Sequence, residues 1–306
     1  MKPIFTTPRY NTEFWCYQRG HVYHAEELNN IRAETSDGFY LPNESDSAFR
    51  AEQEKMNIFR KIATVMLTET VEKKIMIVPP AGVAAFVGEN GTIPESGLDV
   101  VSHQVKSHKI AKISKVATEL VNDKAFDLEG SLAGDFGRTF GMVEENGCIN
   151  GNGIDHPFGI LHPTEGAEAG ITVSGTLAMG FDELVKLFFS LKAEYRRTAS
   201  WVMSDETALF LRTLKDAYGN HIWRHTDDTL WGRPVYTSPY MPEIASGAKP
   251  VMFGDFRFYW LIERGGIALK PLREKYAAFG VTGFMGTQFI DGRLVRREAV
   301  KVLEIA

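Results

Sequence analysis

The stretch from residue 116 to residue 161 constrains the fold more than any other part of this chain. Its pattern predicts a short helix, a turn, a long helix over residues 127–149, and a glycine-rich exit into a strand. At 1.5 Å per residue the long helix measures about 34 Å, enough to span a small domain. Asp127 and Glu129 place carboxylates at its start, where the helix dipole favours them. Apolar residues recur at steps of three and four and predict one buried face: Leu128, Leu132, Phe136, Phe140 and Val143.

Four glycines form a second stripe on the same helix: Gly130, Gly134, Gly137 and Gly141. Each costs about 1 kcal/mol relative to alanine in a helix interior. Glycines gathered on one face indicate that another backbone approaches closely there. We therefore predict that this face packs tightly against a sheet or a neighbouring helix.

The composition excludes several classes of protein. The chain has 306 residues, 44% of them hydrophobic and 24% charged, which suits one large domain or two closely joined ones. No apolar run is long enough to predict a transmembrane helix, and the first residues lack the apolar core of a signal peptide. Cys16 and Cys148 are too few for a disulfide framework, so we expect a cytoplasmic setting. A net charge of −5 also lacks the basic footprint of a sequence-specific DNA-binding domain.

No constellation of residues predicts an active site. Gly151-Asn152-Gly153 is half of a dinucleotide-binding fingerprint, but it follows a helix rather than a strand. His21 and His24 lack Cys or carboxylate partners at ligand spacing. Glu144 and Glu145 are adjacent in the helix and point about 100° apart, so they do not share a face. We expect no enzyme, no cofactor and no metal site.

The region before the long helix is predicted to contain an arm, a helix and a hairpin. Residues 1–45 form the arm, with one helix around residues 13–19, and residues 45–66 form a helix leading into a buried strand. An outbound strand at 74–80 and a return strand at 100–116 enclose a glycine-rich tip. Isolated hairpins are marginally stable in water, so we expect another surface to support this one.

The return strand is basic, with four lysines and two histidines: His103, Lys106, His108, Lys109, Lys112 and Lys115. Two interpretations stay open. The strand docks on an acidic neighbour, or its charges form an ordinary solvated face.

The region after the long helix is predicted as an α/β segment followed by strands. A helix is expected over residues 181–195, and Ser204 is expected to cap another that runs to residue 214. Asp291-Gly292 predicts a hairpin turn. Strands are expected over residues 201–203, 250–253, 259–262, 268–272 and 299–305.

The motifs around the long helix carry a family resemblance. ELxxDxxxDLE precedes the helix at residues 119–129, and NGxGxxxPxGIL follows it at residues 150–161. Further segments match in order: Asp37-Gly38 with residues 40–42, Gly88-Glu89 with residues 93–96, residues 213–216 with Gly219, residues 230–235 and residues 253–256. Together they resemble the tailed-phage major capsid proteins of the Hong Kong 97-type fold.

The resemblance implies an α+β protein with the Hong Kong 97-type capsid fold. Its parts are an N-terminal arm, an extended β-hairpin loop, a peripheral domain built on the long spine helix, and an α/β axial domain. The expected boundaries are residues 1–45 for the arm, 46–70, 116–170 and 251–306 for the peripheral domain, 71–115 for the loop, and 171–250 for the axial domain.

The implied function is that of a major capsid protein, which self-assembles into an icosahedral shell around phage double-stranded DNA. Expected partners are other copies in hexamers and pentamers, portal and scaffold or protease proteins, and packaged DNA by non-specific contact, without a membrane. The expected location is the virion, assembled in the cytoplasm of a bacterial host. Gly137→Leu is expected to prevent assembly even where the subunit folds. The extended-loop tip is expected to act in assembly through Glu89, Ile93, Pro94 and Glu95.

This chain differs from the family pattern at two features, the covalent crosslink and the N-terminal scaffolding segment. Some members join a lysine near the loop tip to an asparagine of a neighbour, but Ile93 occupies that position here and cannot be the nucleophile. We therefore expect a non-covalent shell. Relatives also lose an N-terminal scaffolding segment to a protease, and Arg32 and Ala33 mark the candidate cleavage position. An encapsulin-like nanocompartment shell and, more distantly, a soluble hydrolase with an unrecognised site remain alternatives.

Overall fold

The computed structural model describes residues 8–21, 38–68, 74–77, 85–87, 92, 95, 100–175, 179–215, 218–223 and 228–306. Its helices are α1 Pro8–Arg19, α2 Asn43–Met56, α3 Phe59–Ile62, α4 Thr118–Asn122, α5 Leu128–Asn150, α6 Phe181–Ser190, α7 Ala193–Arg196, α8 Asp205–Thr213 and α9 Arg273–Tyr276. Its strands are β1 Phe39–Tyr40, β2 Thr64–Thr68, β3 Lys74–Ile77, β4 Val101–Gln104, β5 His108–Ala117, β6 Glu168–Val173, β7 Ser200–Met203, β8 Thr229–Leu230, β9 Arg233–Thr237, β10 Val251–Gly254, β11 Tyr259–Leu272, β12 Val281–Leu294 and β13 Val300–Ile305. This mixture of helices and sheets confirms the α+β class.

The predicted long helix is α5. Asp127 caps it, because its carboxylate accepts the N–H of Gly130 at 2.9 Å. Four of the five predicted apolar positions are buried, but Val143 is 45% exposed, so that part of the prediction is wrong. A step of four from Phe140 leads instead to Glu144, which is fully buried. The inner face of the helix therefore continues through a carboxylate rather than an apolar side chain.

Helix α5 packs on a five-stranded sheet. Its strand order is β1-β11-β12-β5, and β2 pairs in parallel with β11. β11 and β12 are antiparallel and fourteen residues long each. The two strands expected at 259–262 and 268–272 are thus one strand, whose pairing register shifts between Arg264 and Ala268. This long ribbon is the platform on which the helices pack.

The predicted hairpin turn at Asp291-Gly292 is wrong. Both residues lie within β12, where Asp291 is paired with Ile262 of β11. The Asp291 carboxylate accepts the backbone N–H of Lys106 at 2.7 Å, so a tertiary contact holds the side chain that suggested a turn. The connection between β11 and β12 occupies residues 273–280 and ends at Gly280 with a φ of +64°.

Four helices, α1, α2, α4 and α5, and the five-stranded sheet enclose one apolar core. Phe49 of α2 and Phe140 of α5 meet edge to face with ring centroids 5.9 Å apart. Phe136 of α5 lies over Gly286 of β12, where a larger residue would collide with the ring. α1, which begins at Pro8 rather than near residue 13, contributes fully buried aromatic side chains to the same core.

Residues 45–66 do not form one helix followed by a buried strand, as predicted. α2 ends at Met56, and Asn57 has extended backbone angles. Phe59 then begins the one-turn helix α3 and is fully buried. β2 starts only at Thr64, and its burial alternates along the strand instead of being continuous.

A second sheet has six strands in the order β6-β13-β10-β7-β9-β8. It combines β7 and β9, from the region expected to be axial, with β10 and β13, from the region expected to be peripheral. Trp201 and Phe253 stack at its centre with ring centroids 4.1 Å apart. The helix expected over residues 181–195 is divided into α6 and α7, because Leu191 is extended. Ser204 caps α8 as predicted, accepting the N–H of Thr207 at 3.2 Å.

Candidate assembly surfaces

The extended loop expected over residues 71–115, which we call the extended arm, contains a two-stranded antiparallel sheet formed by β3 and β4. Exposed apolar side chains occur on β3, at Met76, and in the segment between β3 and β4, at Phe86 and Val100. A two-stranded ribbon has no core in which to bury such residues. Apolar surface on an arm of this kind indicates that another surface covers it.

Most of the predicted loop-tip and cleavage residues lie outside the described residues: Arg32, Ala33, Glu89, Ile93 and Pro94. Glu95 is described and is exposed. The carboxylate of Glu95 is therefore available for contact with another molecule.

Alternate residues of β5 point to opposite faces of the five-stranded sheet. Lys112 lies on the helix side, where its ammonium group donates to Asp135 and Thr139 of α5 at 2.7 and 2.8 Å. Lys109 and Lys115 lie on the other face, so the lysines of the return strand do not form one surface. The structure thus places Lys112 against α5, and Lys109 and Lys115 on the outer face, where their ammonium groups lie over the rings of Phe289 and Tyr276.

The outer side of the sheet combines positive charge with apolar surface, and we call it the basic face. Cross-strand pairing places Lys109 opposite Phe289, and Phe289 opposite Arg264. The Arg264 guanidinium lies 4.2 Å from the centre of the Phe289 ring, a cation–π contact. The basic face consists of Lys109, Ile113, Lys115, Arg264, Lys270, Met285 and Phe289.

A second exposed surface belongs to the six-stranded sheet and its helices. Phe189, Leu209 and Trp231 are large apolar residues exposed there. Trp231 has a φ of +50°, a strained conformation for a bulky side chain, and its ring packs 4.9 Å from that of Phe181. The backbone at Trp231 is therefore strained, although its side chain, which packs on Phe181, stays partly exposed at the surface.

The four glycines of α5 differ in their surroundings. A Cβ added at Gly137 would lie 2.7 Å from the carbonyl oxygen of Phe49, and one at Gly141 would lie 2.8 Å from that of Gln53. The close neighbour at both positions is the backbone of α2. At Gly130 the nearest atoms belong to the helix cap Asp127, and at Gly134 no atom lies within 4 Å. Close packing against α2 inside the described subunit therefore concerns Gly137 and Gly141, and for Gly130 and Gly134 the close approach of another backbone stays a prediction.

A buried ionic network behind α5 is a feature that the sequence analysis missed. The Arg60 guanidinium donates to both carboxylate oxygens of Glu144, at 2.7 and 2.8 Å, and lies 3.4 Å from Glu263. Arg50 forms a second two-bond pair with Glu263, at 2.8 and 2.9 Å. Burial opposes the charge on Arg60, but the two carboxylates outweigh it and raise its pKa. The signal in the sequence was a carboxylate, Glu144, on an otherwise apolar helix face.

A further polar cluster fixes the root of the extended arm. Asp291 accepts the N–H of Lys106, and the Lys106 ammonium reaches the carbonyl of Gly153 at 3.2 Å. The His108 imidazole lies 3.8 Å from the Asp291 carboxylate. Burial raises the pKa of Asp291 to about 6, and burial together with Lys106 lowers the pKa of His108. These contacts tie the arm to β12 and to the loop after α5.

Among the residues that the structure describes, no group of three His, Cys, Asp or Glu side chains could hold a metal ion. Within that part of the chain, no helix combines the length and the apolar character needed to cross a membrane. Cys16 and Cys148 are both free thiols.

The exposed apolar side chains on the described part of the arm, the basic face and the exposed apolar residues of the second sheet are features typical of a structural subunit that associates with other proteins. The sequence model of the phage capsid family matches residues 37–305, and the chain therefore belongs to this family.

Similar proteins agree with this assignment. The chain is 24% identical over 259 residues to the probable major capsid protein gp17 of Mycobacterium phage L5, covering 77% of each protein. It superposes on the capsid of the native GTA particle with a TM-score of 0.69 at 26% identity, covering 92% of this chain and 97% of the other. For the empty GTA particle the TM-score is 0.71 at 27% identity, with 93% and 98% coverage. A structure from Microbacterium phage Oxtober96 matches in fold, with a TM-score of 0.63 at 16% identity, covering 82% of this chain and 91% of the other.

The predicted resemblance is thus confirmed. The chain functions as a major capsid protein: copies of it associate into an icosahedral shell and form part of the virion.

Proposed function

We propose that the shell built by this protein encloses double-stranded DNA and is held together by the extended arm, which lies across the adjacent subunit. The observation that carries this proposal is the described part of the arm, where Met76, Phe86 and Val100 are exposed beside a sheet of only two strands. One set of interfaces repeated by symmetry is sufficient for a single chain to build a closed container.

Charge complementarity supports a specific docking surface for the arm. The loop over residues 78–100 contains Glu89, Glu95 and Asp99 and no lysine or arginine. The basic face is positive and also offers apolar surface for the loop's Phe86 and Val87. Opposite charges steer association and fix its register. We therefore place the loop tip of one subunit on the basic face of the next, which favours the docking interpretation for Lys109 and Lys115.

The docking proposal is tested by reversing charge on the basic face. Lys109→Glu with Lys115→Glu should lower the yield of shells at least tenfold, measured by sedimentation and electron microscopy, while the circular dichroism of the subunit stays unchanged. Lys124→Glu, an exposed lysine on another surface, is the matched control and should assemble normally. Adding Glu89→Lys and Glu95→Lys should restore part of the assembly. Normal shells from the double lysine variant would contradict the docking.

The remaining interfaces follow from the other exposed surfaces. Residues 171–250 would gather subunits around local five-fold and six-fold axes through the apolar cluster that includes Phe189 and Trp231. The peripheral part, with α5, would meet its neighbours at three-fold contacts. The N-terminal arm would add a further strand or strap.

The finer functional assignment is that of a structural protein without catalytic activity. Shells would assemble in the cytoplasm of a bacterial host with portal and scaffold or protease proteins. The net charge of −5 suits a wall that encloses DNA by non-specific contact without trapping it. Purified particles containing DNA would support this role, whereas particles loaded with an enzyme would favour an encapsulin-like compartment.

A further inference from the structure

The two outer edges of the five-stranded sheet differ in charge. On one side, β5 is ten residues long and carries a lysine at every third position, Lys109, Lys112 and Lys115. On the other side, β2 has the sequence Thr-Val-Met-Leu-Thr and carries no charge. Val65 and Leu67 of β2 are 36% and 63% exposed. Among the described residues, β11 is the strand that pairs with β2. The two-residue strand β1 flanks β11 at the same edge, and Thr68 at the end of β2 makes a further interaction, so Val65, Met66 and Leu67 are the part of the edge considered for pairing.

An exposed edge strand presents unpaired backbone groups to any other strand. Natural proteins protect such edges with charged residues, lysine above all, which prevent another chain from pairing. The β5 edge has this protection and the β2 edge does not. An unprotected apolar edge is a site at which a strand from another molecule extends the sheet.

The sequence of β2 suits pairing with a second copy of itself. In an antiparallel pair about a two-fold axis at Met66, Val65 lies opposite Leu67 of the second copy, and Met66 lies opposite its equivalent. Apolar and β-branched cross-strand pairs of this kind stabilise sheets. The same operation applied to β5 would set Lys112 opposite its equivalent and Lys109 opposite Lys115, so that like charges repel. The pattern therefore permits self-pairing at one edge and opposes it at the other.

We propose that β2 strands of two subunits pair antiparallel about a two-fold axis and join their five-stranded sheets into one continuous sheet across the subunit boundary. This inference rests on the proposed function, because a five-residue strand pair buries far less than the roughly 1,200 Å² of a stable interface. The pairing thus forms in the shell, where other contacts hold the copies together, and is absent in free subunits.

A cysteine at the two-fold position tests the pairing directly. Opposed Cα atoms in antiparallel strands lie about 4.5–5.5 Å apart, which is within disulfide range. In a Cys16→Ser background, oxidised shells of Met66→Cys should contain disulfide-linked dimers as the main species on a non-reducing gel. Free subunits of the same variant should give monomers. Ile113→Cys, on the protected β5 edge, is the matched control and should give no dimer.

The outcomes separate this inference from the proposed function. Shells of Met66→Cys whose thiols stay free after oxidation would overturn the edge pairing alone, whereas wild-type protein that forms no shells would contradict the proposed function instead. Leu67→Lys supplies an independent test, because it protects the edge at an exposed position and should leave the free subunit folded. It should lower shell yield at least tenfold, while Leu120→Lys, at another exposed leucine, should not. Normal assembly of Leu67→Lys would also overturn the pairing.

Discussion

Two glycines of α5 allow helix propensity and close packing to be measured separately. At Gly134 an added Cβ meets no atom within 4 Å, so Gly134→Ala should stabilise the subunit by about 1 kcal/mol, the difference in helix propensity. At Gly137 the Cβ would lie 2.7 Å from the Phe49 carbonyl oxygen and 2.8 Å from the Cβ of Glu52, so α2 has to move. Overpacking of this kind costs about 1–3 kcal/mol. Gly137→Ala should therefore range from neutral to about 2 kcal/mol destabilising.

The assay is urea unfolding of unassembled subunits, monitored by far-ultraviolet circular dichroism. The free energies of unfolding of the variants are compared with one common m-value, the slope of free energy against urea concentration. Gly141→Ala is a second test of close packing, because its Cβ would lie 2.8 Å from the Gln53 carbonyl oxygen. It should change the free energy of unfolding by about as much as Gly137→Ala does. Equal stabilisation by Gly134→Ala and Gly137→Ala would refute the packing account. Because the contact lies inside the subunit, Gly137→Leu should impair folding of the subunit itself, and not assembly alone.

Three further predictions concern the ionic network, the arm root and the shell. Arg60→Met removes the cation between the buried carboxylates of Glu144 and Glu263 and should lower the free energy of unfolding in urea by about 3–5 kcal/mol. The control Arg9→Met, at the more exposed Arg9–Glu13 pair, should lower it by at most about 1 kcal/mol. Because burial raises the pKa of Asp291 from 3.8 to about 6, the fold loses stability as the pH rises from about 4 to about 6, and the full loss is present above pH 6. Asp291→Asn should raise the free energy of unfolding at pH 7 by less than about 3 kcal/mol, because its amide NH2 must face one of the two N–H groups that the carboxylate accepts, and this gain should disappear towards pH 4. Shells dissociated on a denaturing gel should give one band at monomer mass, and a ladder would contradict the non-covalent shell expected from Ile93.

Local chemistry made much of the fold predictable from the sequence. The capping carboxylate of Asp127 and the apolar steps after it placed α5 to within one residue at each end. The Ser204 cap placed the start of α8 in the same way. These signals act over three or four residues, so they do not depend on the rest of the fold.

The failures share a different cause, which is tertiary contact. Asp291-Gly292 predicts a turn from local chemistry, but pairing with β11 keeps both residues extended in β12, and the Asp291 carboxylate accepts the N–H of the distant Lys106 as well as that of Gly292. Glu144 appears misplaced on an apolar face until Arg60 is brought to it by the fold. The period of two in a strand already sets Lys112 of β5 on the face opposite Lys109 and Lys115, but which of the two faces α5 covers follows only from the fold.

The contacts inside the subunit explain only some of the glycines of α5. Gly137 and Gly141 have a reason within the subunit, because the backbone of α2 occupies the space that a side chain would take. Gly134 has none there, although it costs the helix about 1 kcal/mol. A destabilising residue with open space in front of it is expected where another subunit covers the helix. Gly134→Ala should then yield a more stable subunit that assembles less well. Normal assembly of that variant would show that this glycine is dispensable in the shell.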